Sequence, residues 1–185
     1  MLRTCLLIIF AFALTACGPS MYVREMKDSR SALVFGYINE NKGSMQFHWV
    51  QLKRTDAAGN EEYYTTHSDR DGMFYAENLP PGQYQFHRIG WGNTPMGSNA
   101  IAGGGELWSF GAGGKTTAMQ VKPGVQYFGS FRFTFNESKK IFKSDSFSFE
   151  RAGSPSESEL LKRLLTYTEG THWTEAIKRR MTELR

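Results

Sequence analysis

The sequence predicts a mainly β protein: an antiparallel β-sandwich followed by two short α-helices. From Ala32 to about Glu150 the chain consists of short runs rich in Val, Thr, Tyr and Phe, separated by clusters of Gly, Pro, Asn and Asp. Strands of this kind, with no helical pattern between them, favour an antiparallel sandwich over a parallel sheet. Residues 151–185 then change to a helical period.

The N-terminal residues indicate export. Arg3 provides a short basic start, and an apolar run follows from Leu6 to Leu14. This run is too short to span a bilayer, which needs about 20 apolar residues as a helix. It fits the apolar region of a secretory signal peptide, so we predict that residues 1–16 are a signal peptide that is removed.

The motif Leu14-Thr15-Ala16-Cys17 resembles the bacterial lipobox. In lipoproteins with this motif the cysteine is acylated and the chain is cut just before it. The resemblance implies lipidation at Cys17, and a protein held on a membrane by its N-terminal lipid rather than spanning it. The alternative is an ordinary signal peptide with an incidental cysteine. The next residue is Gly18 and not the Asp that retains such lipoproteins at the inner membrane, which implies the outer membrane of a bacterial cell envelope, facing the periplasm.

The cysteine count and the charge exclude other classes. The chain has two cysteines, and removal of Cys5 with acylation of Cys17 leaves no thiol for a disulfide. A disulfide-stapled miniprotein is therefore excluded. The net charge of +4 is spread along the chain. It is compatible with an anionic surface but does not predict one, and no nucleic-acid partner is expected.

Residues 17–31 are predicted to be a lipidated tether. From Gly18 onward this segment is polar and charged, with neither a helical nor a strand period. Fully extended, such a segment reaches roughly 45–50 Å. It would allow the folded domain to stand away from the lipid.

Residues 32–150 are predicted to form the β-sandwich domain. The predicted strands span residues 32–38, 45–53, 61–67, 72–77, 83–89, 106–110, 116–121, 125–135 and 141–149. Alternation is plainest in the run from 125 to 135, where Tyr127, Gly129 and Phe131 are expected to share one face and Arg132 the other.

Residues 151–185 are predicted to form two amphipathic helices. Ser154 is the expected N-cap of the first, Leu160 and Leu164 lie in its apolar stripe, and Gly170 is expected to end it. The second carries its apolar residues on one face: Trp173, Ala176, Ile177, Met181 and Leu184. We expect both helices to pack on the sandwich or on each other. The alternative is that the basic second helix lies on an anionic membrane.

The stretch Ser68-Asp69-Arg70-Asp71-Gly72-Met73-Phe74 raises the question of a calcium loop. With Gly72 as the sixth loop position, His67 takes the first ligand position and Asn78 the twelfth, where a bidentate glutamate is needed. Gly72 instead supplies the positive φ of a tight turn, and Asp69 or Asp71 can accept hydrogen bonds from the turn's own backbone. We predict a turn and no metal site.

The continuation of this stretch resembles the signature of carboxypeptidase regulatory-like domains. The matching residues are Asp71, Gly72, Phe74, Asn78, Leu79, Pro80, Pro81, Gly82 and Tyr84. The resemblance covers about residues 32–135 and implies a transthyretin-like (prealbumin-like) β-sandwich. Such domains occur as accessories on enzymes, transporters and surface proteins, so the resemblance implies a fold and not an activity.

No catalytic constellation is recognisable. Residues 109–116 nearly match a phosphate-binding loop, but Ser109 replaces its first glycine and no helix pattern follows. The four histidines have no metal-ligand spacing. Tyr127-Phe128-Gly129-Ser130 lacks the arginine of the hydroxyisourate hydrolase motif, and no Gly-x-Ser-x-Gly elbow is present. We therefore expect no enzyme activity and no cofactor.

The glycine-rich segment 90–114 is the candidate binding loop, with Trp91 and Trp108 as candidate ligand-binding residues. Their aromatic faces are suited to a sugar ring or to a partner's chain. The expected function is a membrane-anchored envelope lipoprotein that acts as a non-enzymatic interaction or structural module, with an envelope protein or a glycan as partner. The alternative is a glycan- or peptidoglycan-binding lipoprotein that uses these aromatic residues.

Overall fold

The computed structural model describes residues 21–40, 46–56, 58–92, 106–109, 118–136 and 146–185. Within them lie the strands β1 (Ala32–Glu40), β2 (Gln46–Thr55), β3 (Glu61–Thr65), β4 (His67–Ser68), β5 (Met73–Leu79), β6 (Gly82–Gly92), β7 (Glu106–Ser109), β8 (Ala118–Val121), β9 (Gly124–Asn136) and β10 (Ser146–Ala152), and the helices α1 (Glu157–Leu165) and α2 (His172–Glu183). The prediction of a mainly β protein with two C-terminal helices is confirmed.

The strands form two sheets. Sheet A has the order β10-β9-β1-β5-β4, and sheet B has the order β3-β2-β6-β7, with β8 also paired to β6. The pairs are antiparallel except for β1 with β9, which are parallel. The expectation of a purely antiparallel sandwich is therefore wrong for this pair. Parallel strands need a long crossover connection, and the strands of sheet B lie between β1 and β9 in the sequence.

The two sheets face each other across an aromatic core. Val34 and Phe74 from sheet A and Leu52 and Phe86 from sheet B are at most 1% exposed. The Phe86 ring lies 4.6 Å from that of Phe128, a distance typical of favourable aromatic pairs. The alternating strands read from the sequence place these side chains inward because successive residues point to opposite faces.

Sheet A is buried on both faces. In β1, Val34 joins the core between the sheets, whereas Leu33 and Phe35 join a second core under the helices. The helices contribute to this second core the buried residues Leu160, Leu161, Leu164, Trp173 and Ile177. The apolar face of α2 is thus occupied by sheet A, except for Leu184, which is 41% exposed.

A β-bulge in β9 makes the alternation of its side chains differ from the predicted one. Phe35 pairs with Tyr127 and Gly36 pairs with Gly129, so Phe128 is an additional residue on β9. As a result Phe128 and Phe131 lie in the core between the sheets, whereas Tyr127 packs on the helix side. The prediction that Tyr127 and Phe131 share a face is wrong. One inserted residue shifts the alternation, so the side chains before the bulge lie on the opposite face of the sheet from the one predicted.

The start and end of α1 differ from prediction. Its N-cap is Ser156 and not Ser154, since Ser156 forms a capping box with Glu159. Both serines have a glutamate three residues later, so the local pattern fits either position. The helix ends at Leu165, before Gly170, which lies in the turn to α2 with a φ of 79°. The predicted stop is therefore a turn glycine.

Candidate functional site

Residues 21–31, here called the strap, lie on sheet A beside the two helices. Val23 is fully buried, and its backbone N–H donates to the Tyr167 carbonyl oxygen at 2.8 Å. The indole Nε1 of Trp173 donates to the Arg24 carbonyl oxygen at 3.1 Å. These bonds satisfy strap backbone groups that water would otherwise have to hydrate.

The strap differs from the tether predicted for residues 17–31. A polar segment without periodicity was expected to remain free, but Val23 fills a site in the second core and the charged residues around it find partners on the domain. Met21 also contacts the same core. Cys17, the predicted lipidation site, lies outside the described residues.

A buried carboxylate holds the strap. The Glu77 side chain on β5 is only 1% exposed, and its Oε1 accepts from Arg24 Nε at 2.5 Å. Nε2 of His67 lies 3.8 Å from the other carboxylate oxygen. The hydrogen bond to Glu77 raises the pKa of the Arg24 guanidinium. A buried charge is costly unless it is paired, and detaching the strap would remove Arg24 from the Glu77 carboxylate. The ion pair therefore stabilises the packed position of the strap.

A second carboxylate from the strap caps α2. Oε1 of Glu25 accepts from the His172 backbone N–H at 3.0 Å and lies 3.0 Å from Nδ1 of the same residue. The helix's own N-cap residue, Thr171, makes no side-chain capping bond. The backbone N–H of His172 lowers the pKa of Glu25. Glu25, although distant in sequence from α2, therefore supplies the acceptor oxygen that the N–H groups of a helix N-terminus require.

We expect Glu25→Gln to reduce the loss of stability on acidification. The folded-state pKa of Glu25 lies below its ordinary value of 4.5, so its contribution is complete above that value and is lost as pH falls through the folded pKa. Thermal melts between about pH 7 and pH 3 should show a smaller decrease in Tm for the variant. Glu175→Gln, an exposed change on α2, is the control and should keep the wild-type pH dependence.

The turn at residues 69–72 joins the sandwich to α1. Oδ1 of Asp69 accepts from the backbone N–H groups of Asp71 and Met73 at 3.0 and 2.9 Å. Its Oδ2 faces Arg163 at 2.5 Å, and Arg163 also contacts Asp71 at 2.7 Å. Gly72 has a φ of 92°. The prediction that this stretch turns the chain is confirmed, and the Asp69 oxygens are engaged by N–H donors.

The outer face of sheet B, here defined by Trp49, Gln51, Lys53, Tyr63, Gln85 and His87, carries aromatic rings toward solvent. Tyr63 is 46% exposed and its ring centroid lies 4.8 Å from that of His87. Burial lowers the pKa of His87, with Arg88 and Lys53 contributing, so the imidazole is neutral at pH 7. The half-buried Trp49 ring covers Gly90, where a Cβ would come within 2.5 Å of it. No sequence signal singled out Trp49, because a strand tryptophan also suits a core.

A cleft of 470 Å³ lies between the end of the strap and the turn at Pro80 and Pro81. Lys27, Asp28 and Arg30 line it and are exposed. Exposed flexible charges at an open cleft do not make the convergent polar set of a small-molecule site.

Both candidate tryptophans lie on strands, as was predicted for Trp108 in the strand 106–110 but not for Trp91, which follows the predicted strand 83–89. Trp91 belongs to β6 and pairs with Phe47, whereas Trp108 belongs to β7 and pairs with Ile89. The predicted binding loop 90–114 contains β7, and its remaining residues, 93–105 and 110–114, lie outside the described residues. The two residues sit on neighbouring strands because β6 and β7 pair directly.

Over the described ranges, no group of three or more His, Cys, Asp or Glu residues is placed to share a metal ion. In that same part of the chain, no helix has the length and apolar character needed to cross a bilayer.

No protein-family model and no curated protein matches the chain. A solved structure of a DUF3823 family protein from Parabacteroides merdae is similar with a TM-score of 0.33 and 16% sequence identity. The similarity covers 67% of this chain and 60% of that protein.

Proposed function

We propose that this protein is an acyl-anchored lipoprotein of the bacterial envelope, on the periplasmic side of the outer membrane, that acts by contact and not by catalysis. One observation supports this most directly. Met21, only four positions after Cys17 in the sequence, packs against the second core. Cleavage before Cys17 would therefore leave the strap and its contacts in the mature protein, with the acylated cysteine close to them in the chain.

Replacing Cys17 with serine is expected to release the protein from membranes. Several acyl chains on one cysteine form a durable anchor, whereas the unmodified chain has none. The measurement is fractionation of cells that express wild type or Cys17→Ser, with mass spectrometry of the N-terminal peptide. Cys5→Ser is the matched control and should stay in the membrane fraction. An unmodified wild-type terminus, or Cys17→Ser retained in membranes, contradicts the anchor.

The sandwich is further proposed to be transthyretin-like, of the carboxypeptidase regulatory-like kind. Two contacts of the motif residues support the proposal. Leu79 is 2% exposed in the core between the sheets, and the Tyr84 hydroxyl donates to the Pro80 carbonyl oxygen at 2.7 Å. An experimental structure tests the assignment through its strand order. An order incompatible with that family would leave only the coarser description, a two-sheet β protein.

A second candidate function is glycan or peptidoglycan binding. The aromatic and amide side chains on the outer face of sheet B favour it. Exposed rings beside amide side chains suit a sugar, because C–H groups stack on rings and hydroxyls bond to amides. Pull-down with peptidoglycan should lose most retention in Trp49→Ala or Tyr63→Ala. Trp91→Ala and Trp108→Ala test the residues chosen from sequence. Undiminished retention in all four variants contradicts glycan binding by these aromatic residues.

A further inference from the structure

We infer that the strap fixes the orientation of the domain on the bilayer, with the surface around Tyr22 against the lipid headgroups and the outer face of sheet B directed away from them. This inference rests on the lipid anchor proposed for Cys17. It adds which surface contacts the membrane and which surface remains available to a partner.

The first step is the greatest distance that the chain can span between Cys17 and Met21. From Cys17 to Met21 there are four residue steps, which span at most about 14 Å. A free tether up to residue 31 would reach roughly 45–50 Å and would impose no orientation. With the acyl chains in the bilayer, the point where the strap begins must therefore stay near the headgroups.

The second step is that the strap is held at several points along its length. Val23 is buried in the second core, Arg24 pairs with Glu77, and Glu25 caps α2. Further along, the Lys27 backbone N–H donates to Oδ1 of Asn78 at 2.7 Å. Detaching the strap would break all of these contacts together, so the short chain from Cys17 orients the whole domain.

The third step is the chemistry of the surface at the start of the strap. The Tyr22 side chain is 55% exposed, and the Arg24 side chain is 74% exposed. The Tyr22 carbonyl oxygen accepts from the Tyr75 hydroxyl. The Tyr75 ring centroid lies 5.2 Å from that of His67, whose side chain is 53% exposed, and the two rings are tilted by 31°. A tyrosine ring with a polar tip favours the headgroup region, and a guanidinium suits lipid phosphate.

The fourth step is the order of layers. The strap and helices cover one side of sheet A, and sheet B covers the other. Packed sheets lie about 10 Å apart, and the strap adds a further layer. Tyr63, on the outer face of sheet B, is thus on the side of the domain opposite to Tyr22.

The experiment compares labels at these two tyrosines. With Cys17 acylated and Cys5 removed, the mature chain has no thiol of its own, so Tyr22→Cys and Tyr63→Cys each carry a single fluorescent label. Their similar exposures, 55% and 46%, make them a matched pair. The acylated proteins are placed in vesicles of phosphatidylethanolamine and phosphatidylglycerol with a quencher on the headgroups. Quenching at position 22 should be several-fold stronger than at position 63.

Lengthening the chain tests the cause of the orientation. Fifteen Gly/Ser residues inserted between Ser20 and Met21 should bring the quenching at the two positions close together. Equal quenching without the insertion overturns the orientation, and an unchanged difference with it overturns the role of the short chain. Failure of the anchor is distinguishable, since the protein would then not bind the vesicles and its mass would lack the acyl groups.

Discussion

Replacing Trp173 with alanine is expected to lower the free energy of unfolding by about 3–5 kcal/mol, the range for large aromatic residues removed from a core. The Trp173 side chain on α2 is fully buried in the second core. Its Nε1 also donates to the Arg24 carbonyl oxygen in the strap. The substitution therefore leaves a cavity and removes a hydrogen bond that joins helix and strap. Chemical denaturation followed by circular dichroism measures the loss.

The matched control for Trp173 is Leu184→Ala near the end of the same helical segment. Leu184 was expected on the same apolar face, but it is 41% exposed. A change of less than about 1 kcal/mol is expected there, as for most surface substitutions. Equal losses at the two positions would contradict the packing of α2 on sheet A.

Replacing Gly72 with alanine is expected to cost about 3 kcal/mol or more. The φ of 92° is a strained conformation for residues other than glycine, with a cost of about 1–3 kcal/mol. The added Cβ would also lie 2.3 Å from the Ile38 carbonyl oxygen. The turn cannot move away from β1 without breaking a hydrogen bond, because the Gly72 carbonyl oxygen accepts from the Ile38 N–H at 2.9 Å. The shift in denaturation midpoint measures the effect.

Gly59→Ala separates the two causes. Gly59 has a similar φ of 85°, but a Cβ there would meet nothing within 4 Å. This variant should show the conformational strain alone, about 1 kcal/mol. If Gly72→Ala is no more destabilising than Gly59→Ala, the close approach of the turn to β1 is not present in solution.

The strand regions could be predicted because their signals are local. Each predicted strand region from 32 to 149 overlaps an observed strand, since alternation and turn residues act over a few neighbours. The bulge at Phe128 could not be predicted, because the register with β1 decides which residue is left unpaired. The parallel pairing of β1 and β9 likewise depends on the path of the strands between them.

The candidate site was predicted less completely than the strands. Glu77 lies in a strand that was predicted, but its burial depends on the strap that brings Arg24 to it. Glu25 caps a helix that begins far along the chain, at His172. Capping rules consider only the neighbouring residues and therefore pointed to no partner for α2 outside its own turn.

The sequence by itself determined the β-rich body, the two helices after it and the turn at Gly72, since these follow from side-chain period and from residues with special φ. Only the tertiary structure decided that residues 21–31 are a packed strap and that β6 continues to Trp91, where it pairs with β2 and β7. The physical reason is that both depend on partners distant in sequence: a polar segment becomes ordered when a buried carboxylate and an open helix end need its charges.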